Sequence, residues 1–110
     1  MNSKKAISYL GLAKRAGWVD SGEFATENAI RQGKAYLVLV AEDASENTKK
    51  KFRNSCRYYE VAYREFLSKT ELGKCIGKEY RSCAAVLDGN LADRILEQLP
   101  DPGDNEERSV

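Results

Sequence analysis

Few residues in this chain of 110 could support catalysis. It contains no histidine, which excludes histidine-activated nucleophiles, histidine general bases and histidine-ligated metals. Glu42 and Asp43 directly follow an apolar run, where open α/β sheets gather functional groups. No second acidic group is recognisably placed to oppose them, so we interpret the pair as a loop start that favours the N-terminus of the next helix. We therefore expect no enzyme, and a small carboxylate-dependent enzyme is the least favoured alternative.

The three cysteines Cys56, Cys75 and Cys83 are an odd number and lack C-x-x-C spacing. That pattern argues against both a disulfide framework and a zinc site. The cations Lys74 and Arg81 flank two of these cysteines and could lower a thiol pKa, but the apolar periodic positions favour buried packing. We expect no metal and no cofactor.

Neither of the common glycine-rich phosphate loops occurs. The nearest approximation, residues 73–78 (GKCIGK), precedes a predicted strand, which is the wrong order for a dinucleotide-binding turn. We therefore expect no small-molecule substrate. Residues 10–23 and 71–88 do place glycines beside basic residues at element ends, where amides and cations can approach a phosphate. The alternative is that these glycines end helices and the lysines keep the surface soluble.

Composition predicts one domain in residues 1–100, since 110 residues with 42% hydrophobic side chains suffice for a single core. No apolar run reaches the roughly 18 residues of a membrane span, so we expect a cytoplasmic protein with no membrane partner. The formal net charge is +1, but residues 101–110 hold four acids against one arginine, which leaves +4 on the rest. We predict that this acidic tail is disordered.

Helical and strand periodicities alternate along the chain, which predicts an α/β fold, most simply a three-layer sandwich. Five helices are predicted. The first covers 3–16, the second runs from caps at Asp20 and Ser21 to Gly33, and the third begins after Ser45. The fourth begins at the capping box Ser68–Glu71, and the fifth covers 91–99. Strands are predicted at 35–41, 59–63 and 83–87, with a turn at 88–90. Phe24, Ala25, Ala29 and Ile30 are the expected apolar residues of the second helix, and Phe52 and Cys56 those of the third. Strand order does not follow from this pattern.

Four segments resemble one family. These segments are LAKRAG, Gly22, LVLVAEDAS and LGKCIGKEYRSCAAV. They are similar to motifs of the kink-turn RNA-binding superfamily of ribosomal proteins seven-Ae and thirty-e. The combination of LGLAKRAG, SGE, AEDASENTKKKF and LGKCIGKE resembles its bacterial YlxQ-like branch. The similarity runs from about Ile7 to Leu96, and the four motifs occur in the family's order.

This resemblance implies an α/β/α sandwich with a mixed four-stranded sheet, no enzymatic activity, and a structured RNA, possibly a kink-turn or ribosomal RNA, as partner. It implies an RNA-binding edge formed by the start of the second helix, the loop after AEDAS and the loop before the last strand. Gly22 matches the family's glycine that lets the backbone reach RNA, and Lys69 matches a basic residue that contacts RNA. Ser45 and Lys49 match positions that neighbour the extruded nucleotide of the RNA in family members. Lys78, Glu79 and Tyr80 match the loop that helps set RNA preference. The full set of candidate contacts is Lys14, Gly22, Glu23, Asn28, Ser45, Lys49, Lys69, Lys74, Lys78, Glu79, Tyr80 and Arg81.

Departures from the family pattern weaken the kink-turn signature. Tight kink-turn binders carry an Asn-Glu pair followed three residues later by Lys, whereas this chain has Phe24, Ala25 and Asn28. Phe24 and Ala25 cannot hydrogen-bond base edges, and Asp20 repels phosphate where basic residues usually stand. We expect a monomeric, ribosome-associated or structured-RNA-binding protein; the alternative is a protein-interaction module of the translation machinery whose RNA face has decayed.

Overall fold

A computed structural model of the chain describes residues 3–100. Its elements are α1 (Ser3–Arg15), β1 (Val19–Ser21), α2 (Glu23–Arg31), β2 (Leu37–Val40), α3 (Glu46–Tyr59), β3 (Ala62–Glu65), α4 (Lys69–Cys75), β4 (Cys83–Val86) and α5 (Gly89–Glu97). The predicted acidic tail lies outside the described residues. Within 3–100, no helix has both the length and the apolar character that crossing a membrane requires.

The four strands form one mixed sheet in the order β1-β4-β2-β3. β4 runs antiparallel to both β1 and β2, while β2 and β3 are parallel. Every residue of β2 and β4 is buried, because helices cover both faces of the central strands. Helices α2 and α3 pack together on one face, and α1 contacts α4 and α5 on the other. The three-layer α/β/α sandwich with a mixed four-stranded sheet is thus confirmed.

Apolar side chains from both helical layers fill the core. Phe52 and Cys56 are the buried residues of α3, as their four-residue spacing predicted, and Leu10 and Ile95 close the core from the other layer. Fully burying an aliphatic or aromatic side chain of this size stabilises the fold by about 1.5–3 kcal/mol.

One end of the sheet gathers several element ends. Val40, the last residue of β2, pairs with Glu65 at the end of β3 and with Cys83 at the start of β4. Ser21, at the end of β1, pairs with the neighbouring Ala84. Helices α2, α3 and α4 each follow one of these strand ends, so all three begin at the same end of the sheet.

The strand predicted at 59–63 is wrong in its bounds. Helix α3 continues through Tyr59, and Glu60 ends it in the left-handed conformation with φ 58°. The amide of Val61 then donates to the carbonyl of Cys56, so the chain leaves the helix only at this point. The strand begins where pairing with β2 begins, at Ala62 opposite Leu37.

The predicted caps of α2 are also wrong. Asp20 and Ser21 lie in the edge strand β1, where they pair with Ala85 and Ala84 of β4. Gly22, with φ 92°, is the residue that precedes the helix, and it offers no side-chain cap.

Residues 88–90 form a helix start rather than the predicted turn. The carboxylate of Asp88 accepts a hydrogen bond from the amide of Leu91 at 2.9 Å, and α5 begins at Gly89. Aspartate serves both turns and helix N-termini, and the apolar periodicity that follows decides for the helix here.

Candidate nucleic-acid interface

Gly22 sets the geometry at the start of α2. Its amide donates to the carbonyl of Cys83 at 3.0 Å, and its carbonyl accepts from the amide of Thr26 at 3.0 Å. A Cβ at this position would stand 4.0 Å from Nε of Arg81, and φ of +92° would strain any side chain. The start of α2 is therefore open, with a guanidinium next to it.

Arg81 is held in place by two hydrogen bonds. Its Nε donates to Oγ of Ser21 at 3.1 Å, and its terminal NH1 donates to the carbonyl of Tyr80 at 3.0 Å. The side chain is half-buried, so the guanidinium is oriented while part of it stays accessible. A positioned guanidinium beside an uncapped helix N-terminus favours an anion such as phosphate.

An open cleft of about 350 Å³ lies at this point. Its lining residues are Gly22, Glu79, Tyr80, Arg81 and Ser82. It thus joins the start of α2 to the loop that precedes β4, two of the three segments that the resemblance assigned to the RNA-binding edge.

Helix α4 is packed tightly against the same loop. A Cβ on Gly73 would come within 2.4 Å of Cα of Tyr80, and the amide of Lys78 donates to the carbonyl of Gly73 at 2.8 Å. The amide of Arg81 donates to the carbonyl of Lys69, and Nζ of Lys69 lies 5.8 Å from the centre of the Tyr80 ring. This distance permits a cation–π contact. Lys69, Tyr80 and Arg81 therefore belong to one surface.

We call this surface the candidate edge. It comprises Gly22, Lys69, Glu79, Tyr80, Arg81 and Ser82. Lys74 and Lys78 flank it along the chain, in the last turn of α4 and in the loop that follows.

Asp43 stabilises a different helix from the one expected. Its Oδ1 accepts a hydrogen bond from the amide of Lys69 at 2.9 Å, at the start of α4 rather than α3. The predicted capping box of α4 is confirmed, since Ser68 and Glu71 each accept a hydrogen bond from the other's backbone amide. Asp43 therefore helps to fix the backbone that carries Lys69.

The start of α3 is occupied by internal contacts. Ser45 caps the helix as predicted, its Oγ accepting from the amide of Thr48 at 3.1 Å. Lys49 is largely buried, with Nζ 3.7 Å from Glu65 and 3.8 Å from Glu46. Two carboxylates thus already neutralise Lys49, which leaves it less charge to offer an external phosphate.

Glu23 and Asn28 lie along α2. Oε2 of Glu23 accepts from the hydroxyl of Thr48 at 3.1 Å, and Oε1 lies 3.7 Å from Nζ of Lys51, so this carboxylate is directed at α3. Asn28 is exposed, on the outside of the helix.

Lys14 is not brought to the candidate edge. It lies in the last turn of α1, just before Gly17, which with Trp18 and Tyr36 lines another cavity of about 450 Å³. Val19 there pairs with Val86, at the opposite end of the sheet from Gly22. The expectation that all the cations share one edge is therefore wrong for Lys14.

The cysteines lie in environments that suppress thiolate chemistry. Burial raises the pKa of Cys56 to about 12, and Glu27 adds to the effect. Burial also raises the pKa of Cys83, and that of the partly buried Cys75 with a further contribution from Glu71. Thiols with raised pKa values are poor nucleophiles, in agreement with a packing role.

Sequence reasoning missed two residues of this region. Ser21 is separated from Arg81 by 60 positions, and nothing local in the sequence signals their hydrogen bond. Phe24 was predicted as one of the apolar residues of the second helix, and the structure leaves it 81% exposed. The buried positions of α2 are Thr26, Ala29 and Ile30, and a helical projection of these three places position 24 outside.

The fold and the candidate edge define a class of protein. It is a three-layer α/β/α domain in which a glycine precedes the second helix and a loop with basic residues, before β4, lies next to it. A solved protein of unknown function from Bacillus halodurans shares this fold with a TM-score of 0.83 and 32% identity, over 86% of this chain and 95% of that one. The Giardia lamblia 15.5kD RNA binding protein shares the fold with a TM-score of 0.76 at 20% identity, over 87% and 85% of the two chains.

Relatives in sequence narrow the class to a family. The chain is 43% identical to the RNA-binding protein YlxQ of Bacillus subtilis over 90% of this chain and 99% of that one, and 44% identical to YlxQ of Enterococcus faecium over 89% and 94%. It is 33% identical to the large ribosomal subunit protein eL8 of Cenarchaeum symbiosum over 84% and 75%. Residues 4–95 match the ribosomal protein L7Ae/L30e/S12e/Gadd45 family. The chain belongs to this family, and its resemblance to the YlxQ branch is confirmed.

Proposed function

We propose that the protein is a non-catalytic RNA-binding protein that contacts a structured RNA through the candidate edge. The observation that carries this proposal is that Arg81 and the open start of α2 line one cleft, while Lys69 contacts Tyr80 and Arg81 beside it. Two relatives above 40% identity are named RNA-binding proteins, which supports the same conclusion.

Each part of the candidate edge has a distinct role in the proposal. Arg81, fixed by Ser21, and the first amides of α2 bind a phosphate, because both present donors to an anion. Lys69 and Lys78 neutralise neighbouring phosphates. Tyr80, whose ring is more than half exposed, offers a face on which a nucleotide can stack.

The preference for kink-turn RNA is weakened in this proposal. Phe24 and Ala25 have no side-chain donors or acceptors with which to read base edges, and Asn28 lacks the charge of lysine. We assign the protein a ribosomal or other structured RNA in the cytoplasm, in connection with translation, and action as a monomer without a cofactor.

A protein-interaction module is the second candidate. The exposed aromatic residues Trp18 and Tyr36, beside Lys34 at the opposite end of the sheet, favour it. Exposed aromatic side chains of this kind are enriched at protein interfaces.

The salt dependence of RNA affinity tests the proposal. A labelled kink-turn RNA and a plain duplex are titrated with the protein at several salt concentrations. With about four phosphate contacts, raising salt from roughly 50 to 200 mM lowers the affinity about a hundredfold through counterion release. Lys69→Ala and Lys78→Ala each reduce the affinity and lower the salt slope by about one contact.

Lys50→Ala is the matched control, because Lys50 is an exposed lysine on α3 that does not line the cleft. It leaves the affinity and the slope close to those of the parent protein. An affinity that hardly responds to salt, or that depends more on Lys50 than on Lys69 and Lys78, would favour the protein-interaction module.

A further inference from the structure

A second concave surface lies at the end of the sheet opposite to the candidate edge. It is the cavity of about 450 Å³ that we call the aromatic pocket, and its lining residues are Gly17, Trp18, Gly33, Lys34, Tyr36 and Leu87. Val19 and Leu37, which follow the two aromatic residues in the chain, both pair with Val86, so β4 brings the two segments together. The RNA contacts proposed above involve none of the lining residues.

Two glycines keep the aromatic pocket open. Gly17 and Gly33 follow the ends of α1 and α2 and adopt positive φ values of 83° and 73°. Apart from chain neighbours, no described residue places an atom within 4 Å of the Cβ that either glycine lacks. The walls beside the two rings are therefore bare backbone, and an external side chain has room between them.

The two rings are exposed, but the fold holds the backbone that carries them. Trp18 is 45% exposed and Tyr36 is 56% exposed. The amide of Trp18 donates to the carbonyl of Ala13 at 2.8 Å, and that of Tyr36 to the carbonyl of Val86 at 2.9 Å. The ring of Tyr36 also lies 3.4 Å from the Cβ position that Gly89 leaves empty. Aromatic side chains positioned in this way lose little conformational entropy when a partner docks on them.

The aromatic pocket has no free backbone donor for a phosphate. Every lining residue donates its backbone amide to a carbonyl of the protein itself, at 2.8–3.1 Å. The uncapped start of α2 at the candidate edge differs in this respect, and phosphate recognition commonly uses such open amides beside cations. The geometry of the pocket therefore favours a protein over a second contact with RNA.

Three exposed cations surround the aromatic pocket. Lys34 lines it, and Lys14 and Arg15 stand in the last turn of α1, just before its first glycine. Among residues 3–100, none of the three forms an ion pair. Asp20 and Asp88 are the acidic residues nearest to the lining along the chain, and the second of them caps α5. Carboxylates of a partner can therefore neutralise cations that the fold leaves unpaired.

These charges disfavour a second copy of the chain as the occupant. In a two-fold dimer the same patch is present on both subunits, so the cations of one copy face those of the other. Like charges that meet across an interface lower the affinity. The rings and the cations together suit a partner that supplies an apolar side chain and carboxylates.

We propose that the aromatic pocket binds an acidic segment of a partner protein. The segment inserts an apolar or aromatic side chain between Trp18 and Tyr36 and pairs its carboxylates with Lys34. The candidate edge stays accessible, because it lies at the other end of the sheet. The protein then holds an RNA at one end and a protein at the other, a role beyond RNA binding alone. Binding at the pocket does not depend on RNA binding at the edge.

Selection from a display library of random short peptides on the purified protein tests this role. It enriches peptides in which aspartate or glutamate flanks a leucine or an aromatic residue. Trp18 is the only tryptophan of the chain, so its fluorescence reports on the pocket. A selected peptide that lacks tryptophan shifts the emission of Trp18 to shorter wavelength, because the ring leaves water. Excess kink-turn RNA does not displace this peptide.

Charge reversal at the exposed Lys34 leaves the fold intact and isolates the electrostatic part of binding. Lys34→Glu weakens binding of the acidic peptide at least about tenfold, because like charges then meet. The same peptide with lysines in place of its acids binds Lys34→Glu more tightly than it binds the parent protein. Tyr36→Ala weakens binding by about the same factor through loss of an aromatic anchor. Lys50→Glu makes the same charge change on α3, outside the pocket lining, and leaves the affinity close to that of the parent.

Four results would overturn the proposal. The first is a selection that yields no binder, or binders whose affinity Lys34→Glu leaves unchanged. The second is a shift of Trp18 emission caused by kink-turn RNA and lost in Lys34→Glu, which would make RNA the occupant. Self-association that Tyr36→Ala abolishes, seen by sedimentation without peptide, would identify a second copy of the chain. A shift of Trp18 emission to longer wavelength on removal of residues 101–110 would identify the chain's own acidic tail.

The proposed function and the aromatic pocket can fail separately. Peptide binding by a protein that binds no RNA would support the pocket and refute the proposed function. Salt-dependent RNA binding by a protein on which no peptide is selected would refute the pocket alone.

Discussion

Arg81 has its position from residues distant in sequence. Ser21 holds its Nε, the backbone of Tyr80 holds its terminal nitrogen, and Gly22 leaves the space beside it free. A guanidinium oriented in this way loses less conformational entropy on binding a phosphate than a free lysine does. At the scale of single residues, the proposed phosphate site therefore depends as much on Ser21 and Gly22 as on the cation.

Restoring the family's base-reading residues is expected to change RNA preference. Phe24→Asn, Ala25→Glu and Asn28→Lys together supply donors, acceptors and a cation on the first turns of α2. Because each good bidentate contact contributes about 1–3 kcal/mol of discrimination, the triple variant binds kink-turn RNA at least tenfold tighter than the parent. Paired titrations with kink-turn RNA and a plain duplex measure the change.

The exposure of Phe24 makes this variant compatible with the fold, since no core packing is lost at that position. Equal affinity of the triple variant for kink-turn and duplex would mean that the RNA face lies elsewhere.

At the scale of elements, the close packing of α4 on the loop before β4 positions Lys69 and Tyr80. The contact is backbone against glycine, with 2.4 Å between the Cβ that Gly73 lacks and Cα of Tyr80. Gly73→Ala must therefore push the helix and the loop apart. We expect it to lower the free energy of unfolding by about 1–3 kcal/mol, the usual cost of overpacking, and to weaken RNA binding.

Urea unfolding checks this expectation, with Gly11→Ala as the control. A Cβ on Gly11, within α1, meets only the end of the Arg15 side chain at 3.5 Å. Alanine there is expected to leave stability unchanged or raise it by up to about 1 kcal/mol, because it favours the helix. Unchanged stability of Gly73→Ala would contradict the tight packing of α4.

Elements with local signals could be predicted from the sequence. Two examples are the unbroken apolar run around β2 and the capping box at Ser68, because residues only a few positions apart determine each of them. The start of β3 at Ala62 could not be predicted, because it is set by pairing with Leu37, which is distant in sequence. Helix α3 continues through Tyr59, shortly before this pairing begins. The resemblance named residues of the candidate edge, but only the tertiary structure separates Lys14 from them.

At the scale of the whole molecule, the fold keeps two surfaces apart. The candidate edge lies where β1, β2 and β3 end, and the cavity lined by Trp18, Lys34 and Tyr36 lies at the other end of the sheet. Residues 1–100 carry a formal charge of +4, which favours RNA in general but does not choose between the two ends. The choice rests on Arg81 and Lys69, which are positioned by neighbours at the first end only.

The most direct test of the central claim is to follow the backbone amide chemical shifts of the ¹⁵N-labelled protein while a kink-turn RNA is added at low salt. The account predicts that the amide signals of Gly22, Tyr80 and Arg81 shift together as RNA is added, because these residues line one cleft. The signals of Lys69, which contacts Tyr80, and of Phe24, in the first turn of α2, shift with them. The chemical shifts of the Trp18 and Tyr36 amides do not change. Shifts that cluster at Trp18 and Tyr36 while those of the candidate edge stay fixed would contradict the account.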